Sequence, residues 1–194
     1  LVSDEIHSDL IFHCKHHTPT ATLSQEIAEH IITCVSATKT FNLAGLQAST
    51  TIFPNAEMKA VFDKFWGGMD IHRNNAFSSV AMEAAYREGE EWLEQLLVYI
   101  SDNFDFIRDY CEKYIPRIRP NVPDATYLVW LDCRELGMSN EELSRFMVEK
   151  AGLGLSDGYT FGRSLSGYMR LNAACPRSVL KQALEQLCAA VEAL

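Results

Sequence analysis

The residues able to do chemistry gather in two short stretches. Ser36-Ala37-Thr38-Lys39-Thr40 sets one lysine among small hydroxyl residues, directly after the apolar, β-branched run Ile31-Ile32-Thr33-Cys34-Val35. Such a run reads as a buried strand. A lysine at its end costs desolvation unless it has a task or reaches out to solvent. Ser36 and Thr38 beside it can hydrogen-bond a phosphate. Asp4-Glu5-Ile6-His7 closes another strand-like segment that begins at Leu1. Ligands of open α/β sheets sit at strand ends. A lysine at one strand end and an acid at the next suit pyridoxal phosphate. The amine forms a Schiff base with the aldehyde, and the carboxylate keeps the pyridine nitrogen protonated so that the ring accepts electrons from a carbanion. By themselves, two strand-end residues still favour a plainer reading, a lysine and a carboxylate on a solvated surface.

The elements that would position these residues follow from periodicity and punctuation. Ser24–His30 reads as a short helix or turn, 31–35 as a strand, and Ala48–Phe53 as a second strand stopped by Pro54. Asn55 caps a helix to about Trp66, with Met58, Val61, Phe62 and Phe65 on one face, ended by Gly67-Gly68. A helix over 77–87 breaks at Gly89, and a longer one runs from Glu90 to Tyr114 on an apolar stripe that includes Ile100, Phe104, Ile107 and Cys111. Beyond Pro116 and Pro120 the spacing predicts a strand at Tyr127–Leu131. A capping box, Ser139 with Glu142, opens the next helix. Tyr168–Asn172 reads as a strand, and a last helix follows Pro176. The first half thus resembles part of a layered α/β sheet and the second a smaller α+β unit.

Composition narrows the field. The chain has 194 residues, 47% hydrophobic and 22% charged, with a formal charge of −9. That is ordinary for a globular protein and excludes a disordered or collagen-like chain. No apolar run approaches the ~20 residues needed to cross a bilayer, and no basic cluster suits nucleic acid. Neither a membrane nor a nucleic acid is therefore an expected partner. The six cysteines include no C-x-x-C pair and read as reduced thiols of a cytoplasmic protein. His13-Cys14-Lys15-His16-His17 looks metal-like but reads as a polar surface loop, because adjacent side chains rarely converge on one ion; no metal is expected. There is no P-loop, no G-x-S-x-G and no H-E-x-x-H. Gly152-x-Gly154-x-x-x-Gly158 is one residue too long for a dinucleotide fingerprint and follows a helix, not a strand. The chain starts with neither Met nor a signal-like segment, and Leu1-Val2-Ser3-Asp4 reads as the end of a buried strand. A preceding segment is therefore expected.

Three ordered groups of residues carry a family resemblance across the whole chain. They are Ser3-Asp4-Glu5-Ile6-His7-Ser8-Asp9-Leu10, then Ser36–Gly45, then Tyr168-Met169-Arg170-Leu171-Asn172 followed by Ala174-Cys175-Pro176-Arg177. Together they resemble the fold-type-I pyridoxal-phosphate enzymes of the class I/II aminotransferase superfamily. Asn75-Ala76-Phe77-Ser78, Glu83-Ala84-Ala85-Tyr86 and Gly89-Glu90-Glu91-Trp92-Leu93 are similar to its MalY/PatB-like C–S lyases, also called cystathionine β-lyases.

That resemblance implies an α/β fold, the C-terminal part of the type I transferase fold: residues 1–92 ending the large cofactor-binding domain, residues 93–194 forming the small α+β domain. It implies Lys39 as the Schiff-base lysine, Asp4 as partner of the pyridine nitrogen, His7 as donor to the phenolic oxygen where many relatives carry tyrosine, and Ser36 as a phosphate ligand. Arg170 would clamp the substrate α-carboxylate. Many aminotransferases carry an arginine eight residues after the lysine; Gln47 stands there, which favours the lyase branch. The implied activity is β-elimination from sulfur amino acids, releasing thiol, pyruvate and ammonia. Transamination is the alternative, and a non-enzymatic interaction or regulatory module is a second. A homodimer with shared sites is implied. So is inactivity of this stretch alone, since the rest of the cofactor cradle would precede Asp4.

Overall fold

The computed structural model describes residues 1–71 and 75–194, and its internal packing divides the chain into two units, Leu1–Leu97 and Val98–Leu194. In the first unit three short strands form one sheet in the order β1 (Val2–Asp4), β2 (Ile32–Val35), β3 (Thr50–Ile52). β1 and β2 are parallel, with Asp4 opposite Cys34; β3 returns antiparallel to β2. Segment 36–49 between β2 and β3 contains only a single α-helical turn, and the chain reverses instead of making the helical crossover a parallel pair needs.

The helices of this unit are α1 (Gln25–His30), α2 (Ala37–Thr40), α3 (Ala56–Gly68), α4 (Ser78–Glu88) and the first turns of α5 (Glu90–Tyr114). Ser24 caps α1 by accepting the Ile27 N–H, and Asn55 caps α3 by accepting that of Met58 at 2.8 Å. β1 lies at the edge of this sheet, and Leu1 and Val2 are exposed. Two expectations for α3 are corrected. The face expected inside is turned: Val61 and Phe65 are exposed. Phe62 instead meets Phe53 at 5.0 Å and Trp66 at 5.5 Å, so an i, i+4 aromatic pair sets the orientation. The helix also runs through Gly67-Gly68 rather than ending before them.

The second unit is an antiparallel sheet ordered β4 (Arg119–Asn121), β5 (Leu128–Asp132), β7 (Tyr168–Asn172), β6 (Ser156–Asp157), with α6 (Asn140–Glu149), α7 (Arg177–Glu192) and the remainder of α5. Ile100, Phe104, Ile107 and Cys111 of α5 are buried, as are Val129 and Leu131 of β5, Met169 and Leu171 of β7, and Leu180, Leu184 and Leu187 of α7. Alternation along β5 and β7 leaves Trp130 and Arg170 on the opposite face. Each fully buried Leu or Ile contributes about 1.5–3 kcal/mol relative to exposure. The capping box at α6 is formed on both sides, Ser139 accepting from Glu142 N–H and Glu142 accepting from Ser139 N–H. Asn103 of α5 is fully buried; it donates to the carbonyls of Ala173 and Cys175 at 2.8 and 3.1 Å and accepts from Arg177 Nε at 2.7 Å.

Candidate active site

Parallel pairing gives β1 and β2 carboxyl ends at the same edge of the sheet, and the titratable candidates follow those ends. Asp4 is the last residue of β1 and is exposed; its Oδ1 accepts a long bond, 3.4 Å, from Ile6 N–H. His7 is half-buried in the turn that follows, where its carbonyl accepts the Leu10 N–H at 3.0 Å. After β2, Ser36 is buried and caps α2 by accepting the Thr38 N–H at 3.0 Å. Its own proton goes to the Ala48 carbonyl at 2.6 Å, so the Thr38 hydroxyl, 2.7 Å away, is the donor of that pair. A phosphate oxygen at Ser36 would have to replace the Ala48 carbonyl. Lys39, half-buried, lies in the last turn of α2. Gln47 is exposed with left-handed backbone, φ 51°.

Neighbouring residues fix these positions. Thr40 is fully buried and donates to Asp9 Oδ2 at 2.9 Å, which ties the helical turn carrying Lys39 to the turn after β1. Phe41 packs against the rings of Tyr86 and Trp92, each 5.9 Å away. Gly89 makes room for it: a Cβ there would stand 2.4 Å from the Phe41 ring and 2.4 Å from the Ala85 carbonyl. On the other side of Asp4, the Glu5 carboxylate is buried. It accepts from Ser3 Oγ, from the Thr20 N–H and from His17 Nε2, each at 2.9 Å. Burial works to raise the Glu5 pKa, but the bonds from His17, Thr20 and Ser3 outweigh it and hold the carboxyl down at about 2. His17 is thereby engaged with Glu5. Ser3 lies two positions from Glu5, but His17 and Thr20 reach it from 12 and 15 positions away, so the local sequence does not signal the network.

In the second unit Arg170 occupies the middle of β7, opposite Trp130 on β5 and Ser156 on β6. It is half-buried beside a cleft of about 380 Å³ that Leu155, Ser156, Asn172 and Val179 also line. Its guanidinium carbon lies 4.2 Å from the centroid of the Phe161 ring. Among the described residues no carboxylate pairs with it. Burial pushes the Tyr127 hydroxyl pKa up, and the Arg170 charge pulls it part of the way back. Asn172 is exposed and accepts the Ala174 N–H at 2.9 Å, which closes the strand end. The sequence-derived candidates thus fall into two groups, Asp4, His7, Ser36 and Lys39 in the first unit and Arg170 in the second.

A carboxylate that ends one strand and an amine that follows its parallel neighbour are the donor set pyridoxal phosphate requires, and here the residues fit it. The class I and II aminotransferase model matches residues 1–187. The chain belongs to that family. Cystathionine beta-lyase PatB of Bacillus subtilis is 40% identical over 98% of this chain and 49% of its own length. Two solved structures superpose with a TM-score of 0.95. One is a PLP-bound protein of Clostridium difficile 630, 44% identical over 98% of this chain and 49% of its own. The other is cystalysin of Treponema denticola, which contains pyridoxal 5'-phosphate, 33% identical over 99% of this chain and 49% of its own. The chain spans about half the length of the curated relatives it matches. Its architecture is that of the pyridoxal-phosphate-dependent type I fold.

Proposed function

We propose that the whole protein is a pyridoxal-phosphate-dependent C–S β-lyase that cleaves sulfur amino acids such as cystathionine to a thiol, pyruvate and ammonia. One observation carries the reading: Asp4 ends β1 and Lys39 follows its parallel neighbour β2, in a chain 40% identical to a cystathionine beta-lyase. When bound, the cofactor supplies an aldehyde that takes an amine and a cationic ring that absorbs electron density released at the substrate Cα. Lys39 Nζ would hold the cofactor through its aldehyde and, once released, would take up the substrate Cα proton. The Asp4 carboxylate would accept a hydrogen bond from the pyridine nitrogen and hold its proton in place. His7 would donate an imidazole N–H to the phenolic oxygen, and Ser36 would turn its hydroxyl from the Ala48 carbonyl to the phosphate. Arg170 offers two parallel N–H donors to the substrate α-carboxylate, which orients the Cα–H bond. The Cβ–S bond would break with its electron pair leaving on sulfur, the thiolate would take a proton to become the thiol, and water would hydrolyse the remaining three-carbon enamine to pyruvate and ammonia.

The large cofactor-binding domain would end near residue 92 and the small domain occupy 93–194. We place the whole protein in the cytoplasm as a homodimer. Its cysteines are all free, as a reducing compartment favours, and among the described residues no helix is long and apolar enough to cross a membrane. The test is turnover of L-cystathionine by the full-length holoprotein with no keto acid present, followed as thiol and pyruvate. Product without keto acid supports the lyase. Turnover that starts only when a keto acid is added makes the protein an aminotransferase, which the same residues would serve.

A further inference from the structure

We infer that Phe161 is a positioning residue for Arg170: its ring covers one face of the guanidinium and leaves the in-plane N–H edge to a substrate carboxylate. The inference rests on the reading of Arg170 as the carboxylate clamp. The ring centroid is 4.2 Å from the guanidinium carbon, a face-on cation–π distance, and Trp130 meets the same ring edge-on at 5.5 Å and 80°. Arg170 and Trp130 are themselves paired across β7 and β5, so the strand register sets the base on which Phe161 rests. Without the ring, a half-buried four-torsion side chain samples several rotamers, and a bidentate carboxylate contact would have to select one of them.

The turn bearing Phe161 is shaped to deliver it. Residues Gly158–Phe161 form one 3-10 turn between two glycines. A Cβ at Gly158 would stand 2.4 Å from the Leu165 carbonyl and 2.6 Å from that of Tyr168, so only glycine brings the turn this close to β7. Gly162 leaves it at φ 151°, in the region that favours glycine. Thr160 Oγ1 donates back to the Asp157 carbonyl at 2.6 Å and closes the turn. The last glycine of the 152–158 stretch therefore serves close packing of the turn against Leu165 and Tyr168.

The test uses the full-length holoprotein with Phe161→Leu, Phe161→Tyr, Arg170→Lys and the Phe161→Leu/Arg170→Lys double variant. S-Methyl-L-cysteine and its carboxamide are the probes, read as KM in turnover and as half-saturation of the cofactor absorbance change. Phe161→Leu keeps apolar bulk but no π face. It should weaken the acid about 3- to 30-fold, mainly in KM, and leave the amide within about twofold. Phe161→Tyr should behave as the parent. In the Arg170→Lys background Phe161→Leu should add less than about twofold, because its effect passes through the guanidinium. Equal losses for acid and amide, full multiplication of the two single effects, or an unchanged Phe161→Leu would overturn the inference. If Arg170→Lys itself leaves binding of the acid unchanged, the clamp reading fails and the inference falls with it.

Discussion

Glu5 is the residue through which the site's rigidity can be titrated. Replacing it with glutamine keeps the shape and removes the charge that three donor residues address. Holding the carboxyl at about 2 rather than at 4.5 corresponds to ~3 kcal/mol in favour of the folded state. The folded pKa is depressed, so this stabilisation is full above pH 4.5 and drains away as pH falls from 4.5 towards about 2. Glu5→Gln should accordingly cost ~3 kcal/mol at pH 7 and progressively less below pH 4.5. The amide of Thr20, which donates to Glu5 Oε1, is a local reporter. Its hydrogen exchange, corrected for intrinsic rate, should accelerate roughly 100-fold at pH 7 in the variant and approach the parent near pH 2.5. Because Asp4 precedes Glu5 directly, the same variant should hold the cofactor less tightly. A cost below about 0.5 kcal/mol at pH 7, or a difference that stays flat down to pH 2.5, would refute the reasoning.

Two further substitutions probe the second unit. Arg170→Lys replaces two parallel donors with a point charge and should lower kcat/KM for L-cystathionine by about 2–4 kcal/mol of transition-state binding. Cofactor absorbance should stay as in the parent, and loss of the cofactor itself would remove Arg170 from the clamp role. Asn103→Leu leaves the buried Ala173 carbonyl, the Cys175 carbonyl and Arg177 Nε without their shared partner. It should destabilise this unit by about 2–3 kcal/mol. A fall in Tm on the order of 10 °C is expected in a unit of this size, and an unchanged Tm would contradict the bonding described.

Much of the framework was legible because local chemistry dictates it. Gly89 and the Pro116 region bound α5 at Glu90 and Tyr114, and Ser139 with Glu142 marks the start of α6. Strand ends followed by Asp4 and Ser36 were visible as transitions from β-branched to small polar residues. What escaped depends on distant contacts. β4 carries Pro120 and spans Arg119–Asn121, too short to read, and proline is tolerated there because the strand lies at the sheet edge. β6, Ser156–Asp157, exists only through its pairing with β7. Asp9 and Thr40 meet across 31 residues, and Glu5 with its donors across up to 15. Phe161 reaches Arg170 only once β6 and β7 are paired, and its local signal, glycines at 158 and 162, becomes meaningful only with the close approach to Tyr168. The misassigned face of α3 shows the limit of periodicity: both faces carry aromatics, and the partner at Phe53 decides between them.

The central claim is that Lys39 carries the cofactor, and it can be tested without any turnover. The full-length protein is loaded with pyridoxal phosphate, reduced with borohydride, digested and mapped by mass spectrometry. The account predicts a single pyridoxyl-modified peptide with the label on Lys39. A label on Lys15, Lys59 or any other lysine, or no label at all, would contradict it.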